Sequence, residues 1–325
     1  MSFDLPLSEL LTYQGRNPRP ADFDAYWDQS LEELCRHDPR PELVAYPELG
    51  LRHAESFDLW FEGLGGARIH ARYLRPKNLA KPAPVLLFFH GYRAGPGSWL
   101  QRLGHVLEGF CVVSLDCRGQ NGLSDDRLQV SGPTQRGHIV RGVHDPDPRQ
   151  LYYRYQMLDA ALLARIVQGF PEVDPRRVGC CGGSQGGALA AACAALQPDV
   201  AAIAVTFPFL CDYQRVWEMG LCQDAYQELK DYFRHFDPRH EREREIFTRL
   251  GYIDLQYLAP RIKARVLFST GLSDRICPPS TQFAFYNKLR CEKELLVYPD
   301  FGHEVLPGNE DRELRYFIEM LGQND

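Results

Sequence analysis

A basic excess is what this sequence most plainly lacks: Lys plus Arg number 37 against 43 Asp plus Glu, a net charge of −6. A chain built to neutralise a phosphate backbone carries the opposite balance, which argues against nucleic acid as a partner. Long apolar runs are missing too. The longest, Val200 to Leu210, contains Thr206 and Pro208 and falls far short of a membrane span. Residues Met1 to Glu9 have neither the basic start nor the apolar stretch of a secretion signal, and no Asn-x-Ser/Thr sequon occurs. None of the ten cysteines forms a C-x-x-C pair, and the nearest two, Cys180 and Cys181, are adjacent. That spacing suits neither a zinc knuckle nor a redox pair, so buried free thiols, a reducing compartment and a cytoplasmic protein are expected. No repeat, low-complexity tract or Gly/Ser linker marks a boundary, so residues 1–325 read as one domain.

With 44% hydrophobic residues, the chain has ample material for a core. Residues 1–80 form an extension. Asp22 stands as the N-cap of an amphipathic helix bearing Phe23, Tyr26, Trp27, Leu31 and Leu34. Alternating sequence from Glu55 to Phe61, Gly-rich turn residues, and Ala67 to Leu74 then predict an antiparallel hairpin. From residue 85 the pattern changes to short apolar runs: 85–89, 110–115, 178–181, 201–205, 266–270 and 294–298. Helical stretches at 152–168, 187–196 and 279–289 separate several of them. This is how a buried, mostly parallel central sheet flanked by helices is written in sequence, and it sets the class as α/β. Residues 212 to about 258 break the alternation with charged, aromatic, helical sequence. They are read as an insertion over the sheet's C-terminal edge, where ligands bind in open α/β folds.

The motif richest in chemistry is Gly182-Gly183-Ser184-Gln185-Gly186, a G-x-S-x-G between an apolar strand and an Ala-rich helix. A serine on so tight a turn needs flanking glycines, and its hydroxyl projects above the sheet at a helix N-terminus whose dipole favours negative charge. Ser184 is therefore the candidate nucleophile. A serine nucleophile needs a histidine base and a carboxylate behind it, and in this fold the chain order is Ser, acid, His. Only His303 lies beyond His240, in a loop after the run ending at Tyr298. Asp274, in the turn after the run ending at Thr270, is the candidate acid, while Asp300 and Glu304 sit too near His303 in sequence to hold the imidazole from behind.

The expected oxyanion hole joins the N–H of Gln185 to an N–H of the His90-Gly91-Tyr92 loop, with Tyr92 as second donor and substrate contact. Each donor is worth about 3 kcal/mol in the transition state. His90 itself is read as structural, packing under that loop. His138, His144, Asp145 and Asp147 lack tight metal-ligand spacing and read as a solvated loop, and 239–245, with alternating charge, reads as an exposed helix face. No metal and no cofactor are called for.

With these residues assembled, the chain resembles the cephalosporin C deacetylase and acetyl xylan esterase family, carbohydrate esterase family seven. Three signatures carry the resemblance in order: Arg118-Gly119-Gln120, the Gly-x-Ser-Gln-Gly of Gly182 to Gly186, and His303-Glu304. Around them, Gly137-His138, Arg141-Gly142, Pro208 to Cys211, and Gly271 to Asp274 through Cys277 to Thr281 are similar to family text, and the likeness extends over nearly the whole chain. It implies an α/β-hydrolase fold with Ser184, Asp274 and His303 as triad, acting without a metal on small acetylated sugars, short xylo-oligosaccharides and cephalosporin C. It also implies perhydrolysis in many members and a hexamer whose active sites face an interior cavity. Asn121 and the segment from Arg93 to Trp99 depart from the family wording, which leaves the pocket rim open. A peptidase or amidase using the same triad, and a binding protein that kept the fold without activity, are the competing readings.

Overall fold

The computed structural model describes residues 3–132 and 137–322. Nine strands form one sheet: β1 (Glu42–Ala45), β2 (Ala54–Glu62), β3 (Arg68–Pro76), β4 (Ala83–Phe89), β5 (Cys111–Asp116), β6 (Val173–Gly183), β7 (Ala202–Thr206), β8 (Arg265–Gly271) and β9 (Lys293–Tyr298). Their spatial order is β1-β2-β3-β5-β4-β6-β7-β8-β9. β1, β2, β3 and β5 pair antiparallel, whereas β5, β4 and β6 to β9 pair parallel. The sheet is thus mostly parallel with an antiparallel wing, as the change of pattern at residue 85 predicts. All seven residues of β4 and all six of β5 are buried, which is why each reads as a continuous apolar run rather than an alternation. The helix Tyr152–Gln168 packs on one face with Ala-rich Gln185–Leu196, whose every residue is buried.

Local outcomes differ from the sequence reading at named places. Strand β1 is an addition to the sequence reading: its apolar run, Leu43-Val44-Ala45-Tyr46, is short and stands between Pro41 and Pro47, and all four strand residues are exposed. Asp22 does occupy the N-cap of helix Phe23–Arg36, but its side chain makes no capping bond and instead accepts the Tyr252 hydroxyl at 2.6 Å. The 187–196 helix begins two residues earlier, at Gln185, and the 279–289 helix ends at Tyr286. Residues 239–242 precede helix Glu243–Leu250 rather than belonging to it, since Asp237 accepts the Glu241 and Arg242 amides in a turn. Between β7 and β8, the helices Tyr213–Glu218, Gln227–Phe236, Glu243–Leu250 and Leu255–Leu258 fill the segment read as a helical insertion.

Candidate active site

Everything in the site hangs from the C-terminal ends of β4, β5, β6, β7, β8 and β9. β6 runs through Gly182 and Gly183 into Ser184, and the helix begins at the next residue. Ser184 has φ 56° and ψ −122°, a conformation that a residue with a side chain adopts only under constraint. Its N–H donates to the Thr206 carbonyl at 3.0 Å, and its carbonyl accepts Phe209 N–H at 3.0 Å and Ala188 N–H at 3.1 Å. The turn closes so tightly that a Cβ on Gly186 would strike the Phe89 carbonyl, and one on Gly182 would strike the Gly186 backbone. Those two glycines are required by contact, not by φ.

Asp274 is fully buried in the turn after β8. One carboxylate oxygen accepts the N–H groups of Ile276 and Cys277, each at 2.9 Å, and the other accepts His303 Nδ1–H at 2.8 Å. Gln282 Nε2 adds a longer bond of 3.3 Å to that second oxygen. His303, with 22% of its side chain exposed, rests against the Phe207 ring at 4.5 Å. Asp300 is exposed, and Glu304 accepts Gly302 N–H within its own loop at 3.0 Å, so neither competing acid reaches the imidazole. The Cys277 sulfur, one carboxylate oxygen of Asp274 and one ring nitrogen of His303 all lie within 4.8 Å of one another, at the same C-terminal sheet edge that carries Ser184. Burial pushes the Cys277 thiol well up, which keeps it protonated.

The loop after β4 brings Tyr92 to the same edge. His90 carries no obvious chemistry: Nδ1 donates to the Gly91 carbonyl at 2.8 Å, and Nε2 accepts Cys117 N–H at 3.0 Å. Burial holds its pKa down, so it stays a neutral strut between two loops. Gln120 and Gln185 form a reciprocal amide pair, with bonds of 2.7 and 3.1 Å, and the Gln120 oxygen also accepts Arg93 N–H at 2.9 Å. That pair ties the residue after the nucleophile to the residue after Tyr92. Arg118 acts further back: fully buried, it makes two 2.6 Å bonds to Asp159 and reaches the Leu64 carbonyl at 3.2 Å. The Arg-Gly-Gln signature therefore braces the loops around Ser184 rather than touching it.

Sequence reasoning passed over Glu228, which helix Gln227–Phe236 of the insertion lowers onto this edge. Its carboxylate accepts the N–H groups of His138 and Val140, each at 3.0 Å, and the Tyr92 hydroxyl at 3.4 Å. Burial raises Glu228 to about 7 and Tyr92 to about 12. His138 is packed rather than solvated, stacked on Tyr152 at 4.2 Å and edge-on to Tyr92, and burial lowers it to about 4. Asp145 likewise turns inward to accept Ser131 and Asp147 amides at 3.0 Å, and Asp147 pairs with Arg149. The expected solvated loop is thus a packed one. Its only advance signal was the family likeness of Gly137-His138 and Arg141-Gly142.

The family model for acetyl xylan esterase (AXE1) matches residues 1–320. The chain belongs to the acetyl xylan esterase family. Acetyl xylan esterase 1 from Thermoanaerobacterium sp. JW/SL YS485 is 50% identical, with a TM-score of 0.95 over 98% of this chain and 99% of that one. An acetyl xylan esterase from Paenibacillus sp. R4 is 34% identical, with a TM-score of 0.93 over 98% of this chain and 100% of that one. The curated acetyl esterase Axe7A of Xylanibacter ruminicola is 25% identical over 90% of this chain, which spans 64% of that relative's length. An acylaminoacyl peptidase from Pyrococcus horikoshii, 18% identical with a TM-score of 0.60 over 86% of this chain and 44% of that one, shares the fold alone. The acetyl xylan esterase family is one of carboxylic ester hydrolases with the α/β-hydrolase fold, and the nine-stranded sheet here is that fold.

Proposed function

We propose that this acetyl xylan esterase family member is a serine esterase that removes acetyl groups from small acetylated carbohydrates through an acetyl-serine intermediate. The observation that carries the reading is the 2.8 Å His303–Asp274 bond beside a Ser184 held on a strained strand-to-helix turn. With Nδ1–H committed to Asp274, the imidazole offers Nε2 as base to the serine. Ser184 Oγ attacks the acetyl carbonyl while Nε2 takes its proton, and the N–H groups of Gln185 and Tyr92 hold the oxyanion. The tetrahedral intermediate then expels the sugar hydroxyl, protonated by His303, leaving acetyl-serine. Water attacks that ester by the same general-base route and acetate departs.

Acetylated xylo-oligosaccharides are the proposed natural class, since the relatives at 50% and 34% identity are both acetyl xylan esterases. Turnover of cephalosporin C and assembly into a homo-oligomer, a hexamer, rest on family resemblance alone. A cytoplasmic setting is favoured by ten free cysteines, two of which, Cys180 and Cys193, sit with sulfurs 3.6 Å apart and unjoined. Among the described residues, no helix is long and apolar enough to cross a membrane. The test is acetate release from acetylated xylose and cephalosporin C alongside hydrolysis of p-nitrophenyl acetate, butyrate and octanoate. Strong preference for acetate with release from the sugar supports the reading. Equal rates on longer chains, or faster cleavage of a matched anilide, overturn it in favour of a broader esterase or an amidase.

A further inference from the structure

Beside Asp274 and His303 stands a side chain that ester hydrolysis does not use. Cys277 is fully buried and its backbone N–H is bound to Asp274. One ligand atom each from Asp274, Cys277 and His303 lies within 4.8 Å of the others. Among the described residues, no other three His, Cys, Asp or Glu side chains converge in this way. We propose that Asp274, Cys277 and His303 form a binding site for a thiophilic divalent cation such as zinc, and that the bound ion switches the enzyme off. The inhibitory half of this proposal rests on the serine esterase reading; the binding half does not.

The donor set decides the class of ion. One sulfur, one imidazole nitrogen and one carboxylate oxygen suit zinc, cobalt or cadmium, whereas magnesium and calcium require more ligands, all oxygen. Zinc sits about 2.3 Å from sulfur and about 2.0 Å from nitrogen or oxygen, so in tetrahedral geometry a sulfur and a nitrogen sharing it lie about 3.5 Å apart. Ligand atoms that all lie within 4.8 Å of one another reach that spacing by a movement of about 1.5 Å at most. The partner with room to shift is His303, which alone of the three is partly exposed, in a loop that goes on to Val305 with 81% exposure. Asp274 is the fixed partner, pinned by the amides of residues 276 and 277. The ion would take the place of the proton on Nδ1 that joins His303 to Asp274, the neutral imidazole keeping its proton on Nε2 instead, and Cys277 would bind as thiolate, so that one proton, from the thiol, is released in all. With metal on one ring nitrogen and a proton on the other, the imidazole no longer takes the serine's proton.

The test uses the full-length protein freed of metal by chelation. Cobalt(II) is titrated in while the thiolate-to-cobalt charge-transfer band is followed, and zinc is then added to displace it. The band is expected in the wild type and in Ser184→Ala, which lacks the nucleophile but keeps all three ligands, and it is expected to vanish in Cys277→Ser. Cys35→Ser, which removes an exposed thiol, should leave it unchanged. Zinc should abolish p-nitrophenyl acetate hydrolysis by the wild type, reversibly with chelator, while magnesium does nothing. Cys277→Ser, measured against its own metal-free rate, should need about 10- to 100-fold more zinc. A wild type without the band, a band that survives in Cys277→Ser, or equal zinc sensitivity of the two proteins overturns the proposal. A cobalt band that depends on Cys277 in a protein that hydrolyses no ester would retain the site and remove the esterase reading instead.

Discussion

Ser184 and Phe207 both carry positive φ values, 56° and 34°, on adjoining strand ends, and Phe207 lays its ring on His303. Strain of this kind persists only where surrounding contacts over-determine it, here the Ser184 bonds to Thr206, Phe209 and Ala188. Replacing Ser184, the proposed nucleophile, should leave that scaffold standing while removing the chemistry. For Ser184→Ala we expect kcat to fall by at least about 10⁴-fold with the circular dichroism spectrum unchanged. Gln120 offers a milder probe, because it touches no reacting atom yet ties Arg93 to Gln185. Gln120→Ala should lower kcat by about 10- to 100-fold with little change in KM, as a misplaced oxyanion donor does. A change in KM alone would mean that the amide pair serves binding rather than the hole.

Among the elements, the central parallel strands were legible because full burial removes the need for polar residues, as in Val85 to Phe89, while the edge strand β9, with no buried residue, was marked only by its run Leu295-Leu296-Val297-Tyr298. The antiparallel wing was half legible: β2 and β3 alternate, whereas β1 is exposed throughout and offers only the short run Leu43-Val44-Ala45 between two prolines. Ser184, Asp274 and His303 could be ordered from motif and chain position, but Glu228 could not, since only folding brings residue 228 beside 92 and 138. Two element contacts invite measurement. Arg118 and Asp159 are a buried bidentate pair joining the loop after β5 to helix Tyr152–Gln168, and Asp159→Ala should cost about 3–5 kcal/mol in denaturant unfolding by stranding the guanidinium. Asp254 is fully buried against Asp212, which in turn receives Tyr13, Arg16 and Asn17 from the N-terminal segment. Burial and the Asp212 charge raise Asp254 to about 7. Its folded pKa exceeds its unfolded one, so between roughly pH 4 and 7 the folded state holds a proton that the unfolded chain releases. The stability this proton brings is complete below the unfolded value and is lost as pH rises towards 7, on the order of a few kcal/mol in all. Melting temperatures at pH 4.5 and 7.5 should therefore differ less in Asp254→Asn than in the wild type. An unchanged difference would contradict the buried-acid account.

At the scale of the molecule, one sheet edge gathers the strained serine, the histidine loop, the acid turn, the Tyr92 loop and the insertion that carries Glu228. Nothing in composition announced that gathering. It follows from parallel strands, which deliver their C-terminal loops to the same side. The central claim is that Ser184, driven by His303 and Asp274, is the group that takes the acyl chain. Its most direct test is covalent trapping with an organophosphate, followed by intact mass and peptide mapping of the wild type and of Ser184→Ala and His303→Ala. The account predicts one adduct per chain on Ser184, none in Ser184→Ala, and strongly slowed labelling in His303→Ala. An adduct on another residue, or ester hydrolysis that proceeds with Ser184 unlabelled, would contradict it.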